Sequence, residues 1–89
     1  MRKMEGYVVI KKDGTRENFD VSKVAKAVNK SAYRAMVEFT PQEIQFICSF
    51  VEAKVKSRVS KEVHISEMHN IVESALDATN PLVAKSYRD

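Results

Sequence analysis

Hydrophobic positions along this chain switch between two periods, and the switches outline its elements. Val8-Val9-Ile10 is a β-branched run suited to a pleated surface. Val21, Val24, Val28, Ala32, Ala35, Met36 and Phe39 then recur at helical spacing, which predicts a first helix over residues 21–38. Ile44, Ile47, Cys48, Val51 and Val55 form the stripe of a second helix over 41–57. Phe46 and Phe50 widen that stripe, so this helix is expected to be covered on more than one side. Val63-His64-Ile65 is a short β-compatible run that suits a third strand. Met68, Ile71, Val72, Ala75 and Leu76 give a third helix its apolar face, and Val83, Ala84 and Tyr87 do so for a short fourth.

Polar punctuation sets the boundaries. Asp13-Gly14 between two strand-like runs signals a hairpin, because a two-residue type I′ turn needs positive φ at both central positions. Such a loop would set Lys12 opposite Thr15, Lys11 opposite Arg16, Ile10 opposite Glu17, Val9 opposite Asn18 and Val8 opposite Phe19. Val8, Ile10 and Phe19 would then lie on the core, with Val9, Lys11 and Arg16 on the open face. Asp20 can cap the first helix. Thr40-Pro41-Gln42-Glu43 combines a capping box with proline at the first helical position. Ser66 is the expected cap of the third helix, and Asn80-Pro81 opens the fourth. Met1 to Gly6 reads as a short mobile lead-in, and residues 58–62 as a polar, exposed connection. The predicted fold is α+β: a three-stranded sheet, made of the hairpin and a short third strand, packed on a four-helix bundle. One domain over residues 1–89 is expected, with a last helix so short that the natural chain is expected to continue.

Composition narrows the classes of function. At 89 residues and 44% hydrophobic, the chain suits one small folded domain with a modest core. One cysteine, Cys48, excludes an internal disulfide or a multi-cysteine zinc site and fits a reducing, cytoplasmic setting. No apolar run approaches a membrane span, and no signal-peptide core is evident at the start. The net charge is +3, unevenly placed: residues 1–40 hold nine Lys/Arg against five Asp/Glu, whereas the rest hold six against seven.

No catalytic constellation emerges, and the glycine-rich phosphate loops are absent. His64 and His69 are not spaced as a helical metal pair. Lys11, Lys12 and Arg16 on the hairpin and Lys23 in the first helical turn gather positive charge around a helix N-terminus, which is itself positive. An anion would relieve that crowding. The bland reading is a solvated basic surface in which edge lysines deter aggregation.

The block Val9-Ile10-Lys11-Lys12-Asp13-Gly14, followed by Glu17, Phe19-Asp20 and Lys23-Val24, resembles the start of the ATP-cone domain. Ile65 to Leu76, with Ile71-Val72-Glu73 and Leu76, resembles the later helix of that family. Val83-Ala84-Lys85-Ser86-Tyr87-Arg88 resembles its closing segment. The ATP cone is a nucleotide-sensing module at the N-terminus of many ribonucleotide reductases. It also occurs in a bacterial transcriptional repressor of reductase genes.

The resemblance implies a small mixed sheet on four helices, with ATP or dATP as an allosteric effector and Mg as a candidate companion ion. By position it implies that Val9, Lys11 and Lys12 line the site from the first strand. Glu17, Asp20 and Lys23 would line it from the second strand and helix start, and Ile65 and His69 from the third strand and following helix. Lys11, Lys12 and Lys23 would contact phosphate; Glu17, Asp20 and His69 would contact base or ribose. The family pattern usually has arginine where Lys12 stands, so the planar fork is lost there.

The leading expectation is therefore a domain that regulates the overall activity of a ribonucleotide reductase, most like the anaerobic class, and is no enzyme on its own. Its expected partners are the catalytic body of the same reductase and, depending on nucleotide, further copies of itself, with no membrane and no direct nucleic acid. The second reading is the nucleotide-sensing half of the repressor, ranked lower because the chain lacks the cysteines of a zinc ribbon. A third, from another class, is a small basic domain that binds nucleic acid directly and with steep salt dependence.

Overall fold

The computed structural model describes residues 6–88; the expected mobile lead-in falls mostly outside them. Strands β1 (Val8–Ile10) and β2 (Arg16–Asn18) are followed by helices α1 (Val21–Arg34) and α2 (Pro41–Lys56). Then come β3 (Glu62–His64), α3 (Ile65–Thr79) and α4 (Pro81–Arg88). The sheet is mixed, in the order β2-β1-β3: β1 pairs antiparallel with β2 and parallel with β3. The α+β class and the three-stranded sheet with four helices match the sequence reading. Helices α1 and α3 each pack against both α2 and α4, and the sheet meets α3 through β1 and β3. Val28, Ile47, Val51, Val55, Leu76 and Val83 are fully buried where these elements meet.

The hairpin register differs from expectation by one residue, which turns β1 over so that Val9 faces the core, while Phe19 stays buried and Arg16 stays exposed. Val8 pairs with Asn18, Val9 with Glu17 and Ile10 with Arg16. The loop has three residues, because Lys11 N donates to Thr15 O and Gly14 N donates to Lys11 O, each at 2.9 Å. Within the loop only Gly14 has positive φ, at 87°. The Asp13 carboxylate accepts from Thr15 N at 3.0 Å and Thr15 Oγ1 at 2.7 Å. A type I turn ending in a left-handed glycine meets these demands, whereas type I′ would force Asp13 to positive φ as well. Burial favours the same register: Val9 and Val63, paired across the sheet, are buried, while Val8 and Ile10 are half-buried. The row Glu17–Val9–Val63 therefore faces the helices.

The caps explain where the helices end. Asp20 accepts from Ser22 N at 3.0 Å to open α1. At α2, Glu43 N donates to Thr40 Oγ1 at 3.2 Å and Thr40 N donates to Glu43 Oε1 at 2.9 Å, the expected capping box. Helix α3 starts one residue before the expected cap Ser66: His64 holds the N-cap position, without a side-chain cap bond, so β3 runs straight into the helix. Helix α1 stops at Arg34 instead of 38. Met36 adopts φ 60°, Met36 N donates to Tyr33 O at 3.0 Å, and Val37 N donates to Ala32 O at 2.8 Å. These bonds form a Schellman closure whose left-handed position is usually glycine. Met36 is therefore 94% exposed and leaves the predicted stripe. Phe46, 48% exposed, also shows that α2 is covered less widely than expected.

Met36→Gly is expected to raise stability by about 1 kcal/mol, since a side chain in the left-handed region costs roughly that much and this one is exposed. Thermal unfolding should show a rise of about 5 °C for a domain of this size. An unchanged or lower midpoint would count against strain at Met36.

Candidate functional site

A cleft of about 720 Å³, counting its open mouth, lies where the sheet meets α1, α3 and α4. Its apolar floor comes from Val9 on β1, Phe19 after β2, Val24 and Ala27 on α1, and Met68 and Val72 on α3. The polar rim holds Lys11, Glu17, Asn18, Asp20, Lys23 and His69.

The corrected register puts these groups together. Val9 on β1 and Lys11 just past its end lie two residues apart and both line the cleft, and Glu17 faces Val9 across the ladder. Asp20 and Lys23 stand in the first turn of α1, so the α1 N-terminus is brought to the strand end. The Glu17 carboxylate bridges the two lysines: Lys23 Nζ is 3.0 Å from Oε1 and Lys11 Nζ is 3.4 Å from Oε2. These bonds, that from Lys23 foremost, hold the Glu17 carboxyl below the usual carboxylate range. Glu17 is therefore ionised at neutral pH. Asp20 is likewise lowered, chiefly by the Ser22 hydroxyl and backbone.

Of the residues expected at the site, Val9, Lys11, Glu17, Asp20, Lys23, Ile65 and His69 all line this cleft. Lys12 does not. The three-residue loop carries it to the exposed hairpin tip, outside the cleft lining. Arg16 also leaves the expected basic cluster: it lies on the opposite sheet face and pairs with Glu62. Two lysines, not four cations, converge on the cleft.

Sequence reasoning missed Asn18, Phe19, Val24, Ala27, Met68, Val72 and Tyr87 as lining residues. Val24 and Phe19 were legible only as core or motif positions, because the same apolar faces build floor and core. Tyr87 was assigned to closing the core. It does pack against the core as a half-buried side chain, and its ring also meets His69 edge-on at 5.8 Å and 87°. Burial and the charge of Glu73 push its phenol upward in pKa, so it presents a neutral hydroxyl-bearing ring. Arg88 pairs with Glu73 at 3.2 Å and lines an adjoining depression.

Among the described residues, no group of three or more His, Cys, Asp or Glu could hold a metal ion. No helix among them is long and apolar enough to cross a membrane.

Comparison with known proteins places the chain among relatives. Residues 7–89 match the family model described as the ATP cone domain. The chain is also similar to proteins named transcriptional repressor NrdR. That of Streptococcus pyogenes serotype M6 is 34% identical, over 92% of this chain and 53% of the relative. That of Streptococcus uberis is 33% identical and that of Streptococcus equi subsp. zooepidemicus 34%, with the same coverage. The chain thus spans about half the length of the curated relatives it matches.

These names correct the expected partners. Relatives that repress transcription, a process exerted on DNA, overturn the pairing with a reductase catalytic body and the exclusion of nucleic acid. They likewise give no support to a reductase assignment or to a direct part in deoxyribonucleotide synthesis, while a non-enzymatic role agrees with them. By the match over residues 7–89, the chain belongs to the ATP cone domain family.

Proposed function

We propose that this chain is a nucleotide-sensing domain that takes ATP or dATP in the cleft between sheet and helices and serves the control of transcription. The observation that carries this reading is the convergence of Lys11 and Lys23 above an apolar floor. A nucleotide has both complements, a polyanionic tail and a flat apolar base. Lys11 and Lys23 would hold phosphates as charged donors. Val9, Val24, Ile65 and Met68 would pack on the base, with Asn18, Asp20 and His69 supplying polar contacts at the rim. Any Mg²⁺ would travel with the triphosphate, because the described residues offer no metal-ligating cluster.

The kinship with repressors supports a regulatory output over a catalytic one. A sensor of this kind works by favouring one state of a larger protein over another. Two adenine nucleotides that differ by one ribose hydroxyl can give different outputs only if their complexes favour different states. Calorimetric titration with ATP, dATP and GTP tests the reading. Saturable binding of both adenine nucleotides at sub-millimolar concentration, tighter than GTP, is expected. Absence of adenine-nucleotide binding at millimolar concentration contradicts it.

A further inference from the structure

Charge is sorted between the helices. Helix α1 carries Lys23, Lys26, Lys30 and Arg34 and no acid, and α4 carries Lys85 and Arg88 and no acid. Helix α3 carries Glu67, Glu73 and Asp77 and no Lys or Arg. We propose that the outer face shared by α1 and α4 docks the phosphate backbone of duplex DNA, with Lys26, Lys30, Arg34 and Lys85 as its contacts. None of these four lines the nucleotide cleft, so docking there does not depend on the nucleotide reading.

Three observations carry it. First, the cations are uncommitted. All four are exposed, and among the described residues none pairs with a carboxylate. Glu73, the one acid lining the two depressions between α1 and α4, pairs instead with Arg88 at 3.2 Å. Asp20, at the head of α1, is held by the Ser22 amide and hydroxyl at 3.0 and 2.7 Å. Second, the cations are ordered. Lys26, Lys30 and Arg34 follow at four-residue steps, which sets them along one side of α1 over about 12 Å. That length covers about three phosphates of one strand, at about 3.4 Å of duplex axis each. Ser86 Oγ donates to Ser31 O at 3.0 Å, which fixes α4 on α1, and Lys85 lines one depression together with Arg34. Third, the face suits no other polyanion as well. A single strand needs a series of aromatic platforms, and Tyr33 is the only exposed aromatic residue of the two helices. A lipid surface calls for an apolar face beside the cations, and Leu82 is the only large apolar side chain lining the depression between Arg34 and Lys85. A duplex backbone needs only spaced positive charge. Contacts of this kind position a duplex without reading its sequence.

The test is fluorescence anisotropy of a labelled, mixed-sequence duplex of about twenty base pairs titrated with the chain. Four phosphate contacts predict a slope of about −3.6 in log affinity against log salt, a loss of about a hundredfold between about 50 and 200 mM. Lys26→Gln, Lys30→Gln, Arg34→Gln and Lys85→Gln together should remove most of that slope, and Lys26→Gln with Lys30→Gln about half of it. Lys12→Gln, Lys54→Gln, Lys56→Gln and Lys61→Gln together remove the same charge from other surfaces and should leave the slope within about one unit. All eight side chains are exposed, so circular dichroism should show every variant folded. Equal flattening in the two fourfold variants overturns the proposal, because net charge and not this face would then govern binding. Absence of duplex binding in low salt at millimolar chain overturns it too. So does tighter binding to a single strand of the same length, or to vesicles containing phosphatidylserine. Failure of ATP to bind the wild-type chain would sink the nucleotide reading and leave this surface untouched.

Discussion

Replacing Lys11 and Lys23 together with glutamine is expected to weaken ATP binding about a hundredfold without unfolding the domain. A hydrogen bond to a charged group is worth roughly 1.5–3 kcal/mol. Screening at a half-exposed site and release of the Glu17 pairs reduce this to about 1.4 kcal/mol per lysine, which is tenfold each. Both ammonium groups reach the cleft from the rim, and neither belongs to the buried core. Surface ion pairs contribute little to folding, so circular dichroism and the thermal midpoint should change little. Arg16→Gln provides the contrast. Its guanidinium pairs with Glu62 on the far face of the sheet, and its loss should leave ATP affinity within about twofold. Unfolding of the double lysine variant would make those side chains structural. Equal loss in both variants would replace a specific phosphate grip with a general charge effect.

Leu76→Ala carries the largest expected effect on stability. Leu76 is fully buried on α3, the helix packed against α2, α4 and the sheet. Truncating a buried leucine costs about 2–5 kcal/mol, through lost transfer energy and the cavity left behind. Domains of this size gain only about 5–10 kcal/mol from folding in total. A fall of about 15 °C in the thermal midpoint is therefore expected, at roughly 4–8 °C per kcal/mol. A fall under 5 °C would mean that the surrounding helices collapse into the gap, and that the core is softer than its burial implies.

Much of the architecture was legible because the chain obeys local rules where the rules are strong. Thr40-Pro41-Gln42-Glu43 opens α2 as the capping box requires, and Asn80-Pro81 opens α4, with Leu82 N donating to Asn80 Oδ1 at 3.0 Å. The misreadings arose where two local solutions compete. Asp13-Gly14 suits both a two-residue and a three-residue loop, and the choice rests on long-range burial of Val9 against Val63. Met36 closes α1 in a conformation that its side chain disfavours, so periodicity alone carried the helix too far. Ser66 is a good capping residue that goes unused because β3 feeds α3 directly.

The cleft was legible in a different way. Its lysines were legible as a basic cluster at a helix N-terminus and its acids through a family pattern, but the derived hairpin register would have split Val9 and Lys11 from the core face. The correct register reunites them with Glu17. The apolar floor was hidden because Val24, Met68 and Val72 serve packing and cleft at once. Tyr87 was legible by its helical spacing and its place in the closing segment, not as a wall of the cleft. Its role as a wall beside His69 depends on α4 returning against α1 and α3.

The central claim is that a nucleotide sits between the sheet and the helices with its phosphates at Lys11 and Lys23. Titration of the isotope-labelled chain with ATP, followed by amide chemical shifts, tests it most directly. Saturable shifts should cluster at Val9, Lys11, Glu17, Asp20 to Lys23, Ile65, His69 and Tyr87. Shifts confined to the exposed surface around Tyr33, Met36 and Leu82, or none at millimolar ATP, would contradict it.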